Sequence, residues 1–331
     1  MSVRVLKPGL LTTVQDRGRH GLRHLGVGPC GAMDPSALAL ANALVGNRAG
    51  EAALEITLAG PELLFEEDAL VALCGARFER IPCDRPFWVA AGARLATGRA
   101  SAGSRAYLAV AGGIAVALVL GSRATCLPAR FGGLEGRPLR AGDVLPLAPG
   151  SAGLSRDRFR GLDPSRLVER GGLRTVRWSA PALTLPEREP IVVHAMPGRH
   201  WAQFDSASQR AFFDSAWRVS PDSNRMGFRL VGPRLARERS GEIHSEPTCL
   251  GTVQVPADGA PIALMADHQT TGGYPKIAEI AGADSARLAQ ISPGGTLRFA
   301  RCTLEEAKGL RRAARARLDS ALQAIAMEYG T

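Results

Sequence analysis

The sequence predicts a mainly β protein of short strands, with a few short helices and an amphipathic helix near its C-terminal end. Three observations carry that prediction. The 331 residues are 45% apolar, enough to bury a full core in two domains or one large β-rich unit. Apolar segments a few residues long recur between Gly and Pro signals, which favours barrels or sandwiches over βαβ repeats. Helical periodicity is plain in only two places.

The elements follow in order. Ser2-Val3-Arg4-Val5-Leu6-Lys7 alternates as a strand, not as a secretory signal. Asp34-Pro35 supplies an N-cap and a first-turn Pro, after which Leu38, Ala41, Leu44 and Val45 share one face until Gly46 stops the helix. Further strands are expected at 53–58, 63–65, 70–74, 87–90, 106–110, 143–147, 175–178, 191–195, 251–255, 262–265 and 296–299. The longest apolar run, Ala106 to Leu120, is too short for a bilayer and is broken by Gly112-Gly113, so it reads as two strands and a turn. Residues 149–174 are polar, Arg-rich and weakly periodic, as suits a linker or an excursion within the first domain. Thr303 and Glu306 make a capping box that opens the terminal helix, whose stripe is Leu310, Ala314, Leu318, Leu322 and Ile325. The expected boundaries are 1–186 for a first domain holding the 149–174 excursion, 187–302 for a second, and 303–331 for the helix.

Charge and cysteine usage exclude some functions. The net charge of +10 comes from Arg scattered along the chain, with Lys only at Lys7, Lys276 and Lys308. Aromatic content of 5% with no aromatic–basic alternation argues against nucleic-acid binding. Cys30, Cys74, Cys83, Cys126, Cys249 and Cys302 form no C-x-x-C pair, and reduced buried thiols in a cytoplasmic protein are expected. His20 and His24 stand four apart among glycines, with no third ligand in reach, so no metal site is predicted. Gly26-Val27-Gly28-Pro29-Cys30-Gly31 matches a dinucleotide fingerprint, but no buried strand precedes it and Pro29 removes a donor.

The densest chemistry lies after the strand at 262–265. Asp267-His268-Gln269-Thr270-Thr271-Gly272-Gly273-Tyr274-Pro275-Lys276 places an acid, an amide, two hydroxyls, a Gly pair, a phenol and an ammonium at a strand end. Paired glycines let backbone N–H groups converge on an anion, and an ammonium can neutralise charge that develops in a reaction. Gln254 ends the strand before it. Ser223-Asn224-Arg225 sits in a tight turn ahead of another strand, and Arg suits bidentate capture of a carboxylate. Asp16 and Arg17 lie in a Gly-rich block for which an Asx-type turn and a binding role are both open. Glu246, before Gly251, offers another carboxylate, for which a solvated surface role is the simpler reading. Of the histidines only His268 draws notice, through its neighbours.

Thr-Thr-Val-Gln-Asp-Arg-Gly-Arg from Thr12, Gly-Ala-Met-Asp-Pro from Gly31, Leu-Glu-Ile-Thr from Leu54, Gly-Ser-Arg-Ala-Thr from Gly121, Ser-Asn-Arg-Met-Gly from Ser223 and the 267–275 block together resemble one family. It is the 5-oxoprolinase C-subunit family, also described as biotin-dependent carboxyltransferase, allophanate hydrolase subunit 2 or KipA-like proteins. The likeness runs from about Gly9 to Phe299. It implies two cyclophilin-like β-barrel domains and a complex with two partners, one KipI-like and one LamB/YcsF-like, which are the B and A subunits of such an enzyme. Ala115-Val116-Ala117 follows Gly112-Gly113-Ile114 where the family carries an acid and a proline, a departure from the family pattern at that loop.

The resemblance implies ATP-dependent hydrolysis of 5-oxo-L-proline to L-glutamate. The alternatives are carboxyl transfer from carboxybiotin to urea or a similar amide, and a regulatory protein that binds a kinase inhibitor. No biotin-attachment motif or carboxylase domain is fused here, which favours the first. On that reading Asp267 and Gln269 orient amide and water, Lys276 and Arg225 neutralise charge, and Thr270, Thr271, Gly272 and Gly273 hold the oxyanion or phosphate. Tyr274 shapes the pocket, while Gln254, Ser223, Asn224, Asp16 and Arg17 contact substrate.

Overall fold

The computed structural model describes residues 2–186, 188–238 and 243–330. The chain divides into two compact units: Met1–Arg19 with Cys30–Leu185 and Ala316–Thr331, and His20–Pro29 with Pro186–Arg315. Glu187, at the expected domain boundary, lies outside the described residues.

The first unit holds β1 (Ser2–Lys7), β2 (Leu11–Gln15), α1 (Pro35–Leu44), β3 (Ala53–Thr57), β4 (Glu62–Phe65), β5 (Ala69–Phe78), β6 (Pro86–Val89), β7 (Arg94–Ala96), β8 (Ala100–Val110), β9 (Val144–Pro146), α2 (Ser151–Arg160), β10 (Leu167–Arg170) and β11 (Leu173–Val176). Its strands form two antiparallel sheets, in the orders β7-β4-β1-β9 and β10-β11-β6-β5-β8-β3-β2. Side-chain alternation divides the core. Val71 and Leu73 of β5 and Leu108 and Val110 of β8 join Val3, Val5, Phe65 and Leu145 between the sheets. Their neighbours Leu70, Ala72, Tyr107 and Ala109 face the other way, onto Leu38, Leu40 and Leu44 of α1.

The Asp34 side chain caps α1 by accepting from Ala37 N at 3.0 Å, as its sequence signal requires. Buried Glu55 accepts from Met33 N at 2.9 Å and from the Tyr107 hydroxyl at 2.7 Å, which fixes the entry to the helix. The 149–174 excursion contains α2 and β10, with Ala152 and Leu162 buried. Beyond Gly112-Gly113 the apolar run leaves β8 as a turn, not a second strand: Gly112 N donates to Asn47 Oδ1 at 2.7 Å and Ile114 makes one isolated bridge to Leu147.

The second unit holds β12 (Ile191–Pro197), α3 (Ser206–Asp214), β13 (Ala216–Val219), β14 (Gly227–Val231), β15 (Glu246–Pro247), β16 (Thr252–Gln254), β17 (Ile262–Leu264), β18 (Thr271–Gly272), β19 (Lys276–Ile280), α4 (Ser285–Ala289) and β20 (Thr296–Arg301). Seven of these close into a barrel in the order β12-β19-β16-β17-β14-β13-β20, sealed by parallel pairing of β12 with β20. Trp217, Val193, Val253, Ile277, Leu297 and Phe299 are buried in this unit, and Phe212 of α3 stacks on Phe299 with centroids 4.4 Å apart. β15 and β18 make a separate two-stranded ribbon.

The last helix, α5 (Leu304–Glu328), opens with the expected capping box: Thr303 N donates to Glu306 Oε2 at 2.7 Å, and Glu306 N donates back to Thr303 Oγ1 at 3.2 Å. No helix among the described residues is long and apolar enough to cross a membrane. The six cysteines form no disulfide, and Cys249 departs from the buried-thiol expectation by standing exposed in a loop.

Candidate functional site

Barrel register brings the first two site residues together. Gln254, at the end of β16, is the cross-strand partner of Lys276, the first residue of β19, at a point where the ladder shifts register. The Lys276 side chain is 4% exposed, and its Nζ lies 2.9 Å from Glu246 Oε2. Lys276 holds Glu246 as carboxylate by donating to it, which pushes its pKa down. His200 also faces this carboxylate, with Nε2 at 3.9 Å. Its Nδ1 accepts from Lys276 N at 3.1 Å, so the neutral ring carries its proton on Nε2, toward Glu246. Burial, the largest influence, lowers the His200 pKa.

The β15–β18 ribbon brings the glycine loop to the same place. Glu246 pairs with Gly272 and Pro247 with Thr271. A Cβ on Gly272 would fall 2.7 Å from Gln254 Nε2 and 3.1 Å from Gln269 Nε2, so only glycine lets the loop backbone approach the two amides this closely. Gln269 Nε2 donates to Gln254 Oε1 at 3.1 Å and so orients the Gln254 amide. Gln254 is 1% exposed, yet its Nε2 has no hydrogen-bond partner among the described residues. A buried amide donor left unspent costs stability, and such groups are rare unless a ligand or water completes them.

His268 supplies a second unspent atom. Its Nδ1 lies 2.7 Å from the Met265 carbonyl, to which it donates, and its buried Nε2 remains a free acceptor among the described residues. Burial lowers its pKa, which keeps the ring neutral and that lone pair available. Sequence reasoning set His200 aside, noticed His268 only through its neighbours in the polar run, and gave Glu246 a solvated surface role as the simpler reading.

Asp267 and Arg225 meet a geometry other than the catalytic one expected from sequence. Arg225 Nε and Nη2 donate to the two Asp267 oxygens at 3.0 and 2.8 Å, with the side chains 2% and 0% exposed. Asp267 N also donates to Arg225 O at 2.8 Å. Both carboxylate oxygens are thus taken by a neighbour, and the pair clamps the turn before β14 to the loop after β17. Ser223 and Asn224 organise that same turn: Ser223 Oγ accepts from Arg229 N at 3.1 Å and Asn224 Oδ1 from Met226 N at 2.8 Å. Neither contributes to the Gln254–Lys276 cluster.

The Thr270 and Thr271 hydroxyls have no protein partner among the described residues, and Tyr274 is 51% exposed. The Thr270 carbonyl accepts from Thr248 N at 3.0 Å, and the Thr248 carbonyl accepts from Arg23, which together tie down the loop from beneath. Gly273 lies against Ile243 O, 3.0 Å from where its Cβ would be. Asp16 belongs to the first unit, where it is the organiser of a turn. It accepts from Gly18 N at 2.7 Å, Ser122 Oγ at 2.6 Å and Arg123 N at 2.6 Å. Its neighbour Arg17 is exposed.

The Gln254–Lys276 cluster offers a neutral amide donor, a buried ammonium balanced by one carboxylate, and a backbone able to come close, and the 267–276 run adds the neutral imidazole acceptor of His268. These groups suit a small planar amide on which oxyanion charge develops.

The family described as carboxyltransferase domain, subdomain A and B, matches residues 25–301. The chain is 44% identical over 311 residues to the C subunit of 5-oxoprolinase from Escherichia coli strain K12, covering 92% of this chain and 93% of that one. It is 31% identical to the urea amidolyase of Saccharomyces cerevisiae over 94% of this chain but 17% of that protein. The crystal structure of the K. lactis urea amidolyase superposes with a TM-score of 0.83 at 32% identity, over 97% of this chain and a fifth, 20%, of the other. Matched along most of its length by both profile and relatives, the chain belongs to the carboxyltransferase-domain family of subdomains A and B.

Proposed function

We propose that this chain is one component of an ATP-dependent 5-oxoprolinase that converts 5-oxo-L-proline to L-glutamate. On this reading it works in the cytoplasm with a KipI-like partner and a LamB/YcsF-like partner, the B and A subunits of the enzyme. The observation that carries the proposal is the unspent Nε2 of buried Gln254, set beside buried Lys276 and the closely packed Gly272. A lactam oxygen accepts from Gln254 Nε2, and the lactam N–H finds its acceptor at His268 Nε2. ATP is a substrate: its terminal phosphoryl group passes to the lactam oxygen, and water adds to the activated ring carbon. The ring C–N bond then breaks. One lactam, one ATP and two waters give glutamate, ADP and phosphate. An unactivated amide resists water, so the nucleotide supplies the driving force. Lys276 compensates charge on the reacting oxygens, while Glu246 balances the ammonium between turnovers.

The comparisons support this reading through coverage as well as identity. Two relatives named as C subunits of 5-oxoprolinase, 44% and 39% identical, are matched over 93% and 91% of their own length. A second reading, carboxyl transfer from carboxybiotin to urea or a similar amide, is supported by the family description and by the likeness to the urea amidolyase fold. The same donors would then hold a bicarbonate-like fragment.

Reconstitution separates the two. The chain, co-purified with its genomic neighbours, should release glutamate from 5-oxoproline with ATP and without biotin. Lys276→Ala should lower turnover about 100-fold, as removal of one oxyanion-stabilising group does elsewhere. Full ATP-coupled glutamate release by that variant would refute the role of Lys276, and carboxylation of urea with biotin would replace the first reading by the second.

A further inference from the structure

A second polar concavity lies within the first unit. A cleft of about 510 Å³ opens where the end of β5, the turn into β6 and the tip of the β10–β11 hairpin meet, and Arg77, Arg80, Arg85 and Arg170 line it. Four guanidinium groups around one cavity repel one another, so their balance decides what the cavity can hold. Arg77 is already matched by an ion pair with buried Asp84. Arg80, Arg85 and Arg170 enter no ion pair among the described residues, and the one carboxylate in the lining is Glu79.

Arg85 is also pre-set. Its Nη1 donates to the carbonyls of Val176 and Arg177 at 3.0 Å each, which fixes the plane of the guanidinium and leaves Nε and Nη2 unspent. Burial lowers its pKa, and the nearby Arg170 adds to the effect, while Asp84 opposes it. The hairpin tip reaches the cleft through Gly171, at φ +59°, where a Cβ would fall 2.8 Å from the Arg80 carbonyl. Glycine at that point lets the hairpin settle on the β5–β6 turn and deliver Arg170 to the wall.

The geometry points to an oligophosphate site in this cleft, one that takes a di- or triphosphate chain, inorganic or esterified. Guanidinium forks match phosphate oxygens bidentately. After Glu79 is set against one of the three unmatched arginines, two positive charges remain, too many for a monocarboxylate to balance. The volume exceeds what a single orthophosphate fills. The one aromatic residue in the lining, Phe78, is buried at 4% exposure, so no ring is offered to a base and recognition falls on the phosphates.

Isothermal titration of the full chain at low salt tests this, with sodium tripolyphosphate, ATP, orthophosphate and citrate as probes. Tripolyphosphate should bind at least about tenfold more tightly than orthophosphate or citrate, and ATP should fall close to tripolyphosphate. The double variant Arg80→Ser/Arg170→Ser, at exposed positions, should weaken tripolyphosphate about tenfold or more, since it removes two charge-assisted contacts. Arg311→Ser/Arg312→Ser removes equal charge from an exposed face of α5 and should change nothing. ATP binding tighter than tripolyphosphate but lost in the Arg80/Arg170 variant would identify the esterified form as the source. Tripolyphosphate binding weaker than about 1 mM, citrate binding as well as tripolyphosphate, or equal weakening in both double variants would overturn the site.

Discussion

Removing the Asp267 carboxylate isolates the question of whether Arg225 and Asp267 act as a clamp or as catalytic groups. Asp267→Ala deletes two charge-assisted hydrogen bonds, at 3.0 and 2.8 Å, and leaves a guanidinium that is 2% exposed and cannot shed its proton. Breaking one side of a buried pair costs about 3–5 kcal/mol, because the remaining charge stays buried after losing its bidentate carboxylate. In a unit of this size that should lower the thermal midpoint by roughly 10 °C or more. The assay is urea unfolding of the full chain with Trp88 and Trp178 of the first unit replaced by Phe in every variant, followed by fluorescence of Trp201 and Trp217 in the second unit. Arg225→Met/Asp267→Leu fills similar volume with apolar atoms and should recover most of the loss, a sub-additivity of about 2 kcal/mol or more. A single-variant cost below about 1 kcal/mol, or strict additivity, would refute the buried-clamp account.

Other perturbations follow from the same geometry. Gly272→Ala places a methyl group 2.7 Å from Gln254 Nε2, the end of a side chain that can swing aside. The chain should stay folded within about 1 kcal/mol while activity in the complex falls about tenfold or more, and unchanged KM and turnover would count against Gln254 as a substrate donor. The folded chain disfavours protonation of His268, whose ordinary pKa is 6.5 and is lowered here. The unfolded chain therefore binds the extra proton, so this stabilisation is complete above pH 6.5 and is lost as pH falls below it. His268→Leu should flatten part of the decline in unfolding free energy between about pH 7 and 5, with His200 keeping the rest, and superimposable pH profiles would exclude the effect.

What the sequence revealed was local chemistry. Asp34 and Pro35 start α1, and Thr303 with Glu306 starts α5, because capping needs only residues three apart and is written in consecutive positions. The short strands were legible as apolar runs between turn residues. Helices with little apolar surface were not. α2 buries only Ser151, Ala152 and Ser155, which leaves no apolar stripe to detect. α3 anchors through Phe212, although its cap, Asp205 accepting from Ser208 N at 2.6 Å, follows the same rule as Asp34. The polar run 267–276 announced a site through density of chemistry alone. Which members of it are free and which are paired could not be read, since Arg225 precedes Asp267 by 42 positions and Glu246 precedes Lys276 by 30.

Those two long-range pairs assign different duties to residues of the same type. The Arg225–Asp267 pair is sealed from solvent on both sides, so its charges are spent on the protein and the loop they hold. In the Lys276–Glu246 pair the ammonium is 4% exposed but the carboxylate is 23% exposed, so water reaches one partner only. An incoming anion can therefore draw Lys276 toward itself while Glu246 recovers hydration, an exchange that the sealed pair cannot make without stranding a charge. The barrel makes this asymmetry possible. Lys276 and Gln254 are held by adjacent ladder strands, whereas Glu246 arrives on the separate two-stranded ribbon with Thr271 and Gly272. Donors on the barrel beside a carboxylate on a separate ribbon favour Lys276 over Arg225 as the cation that the proposed reaction would draw on.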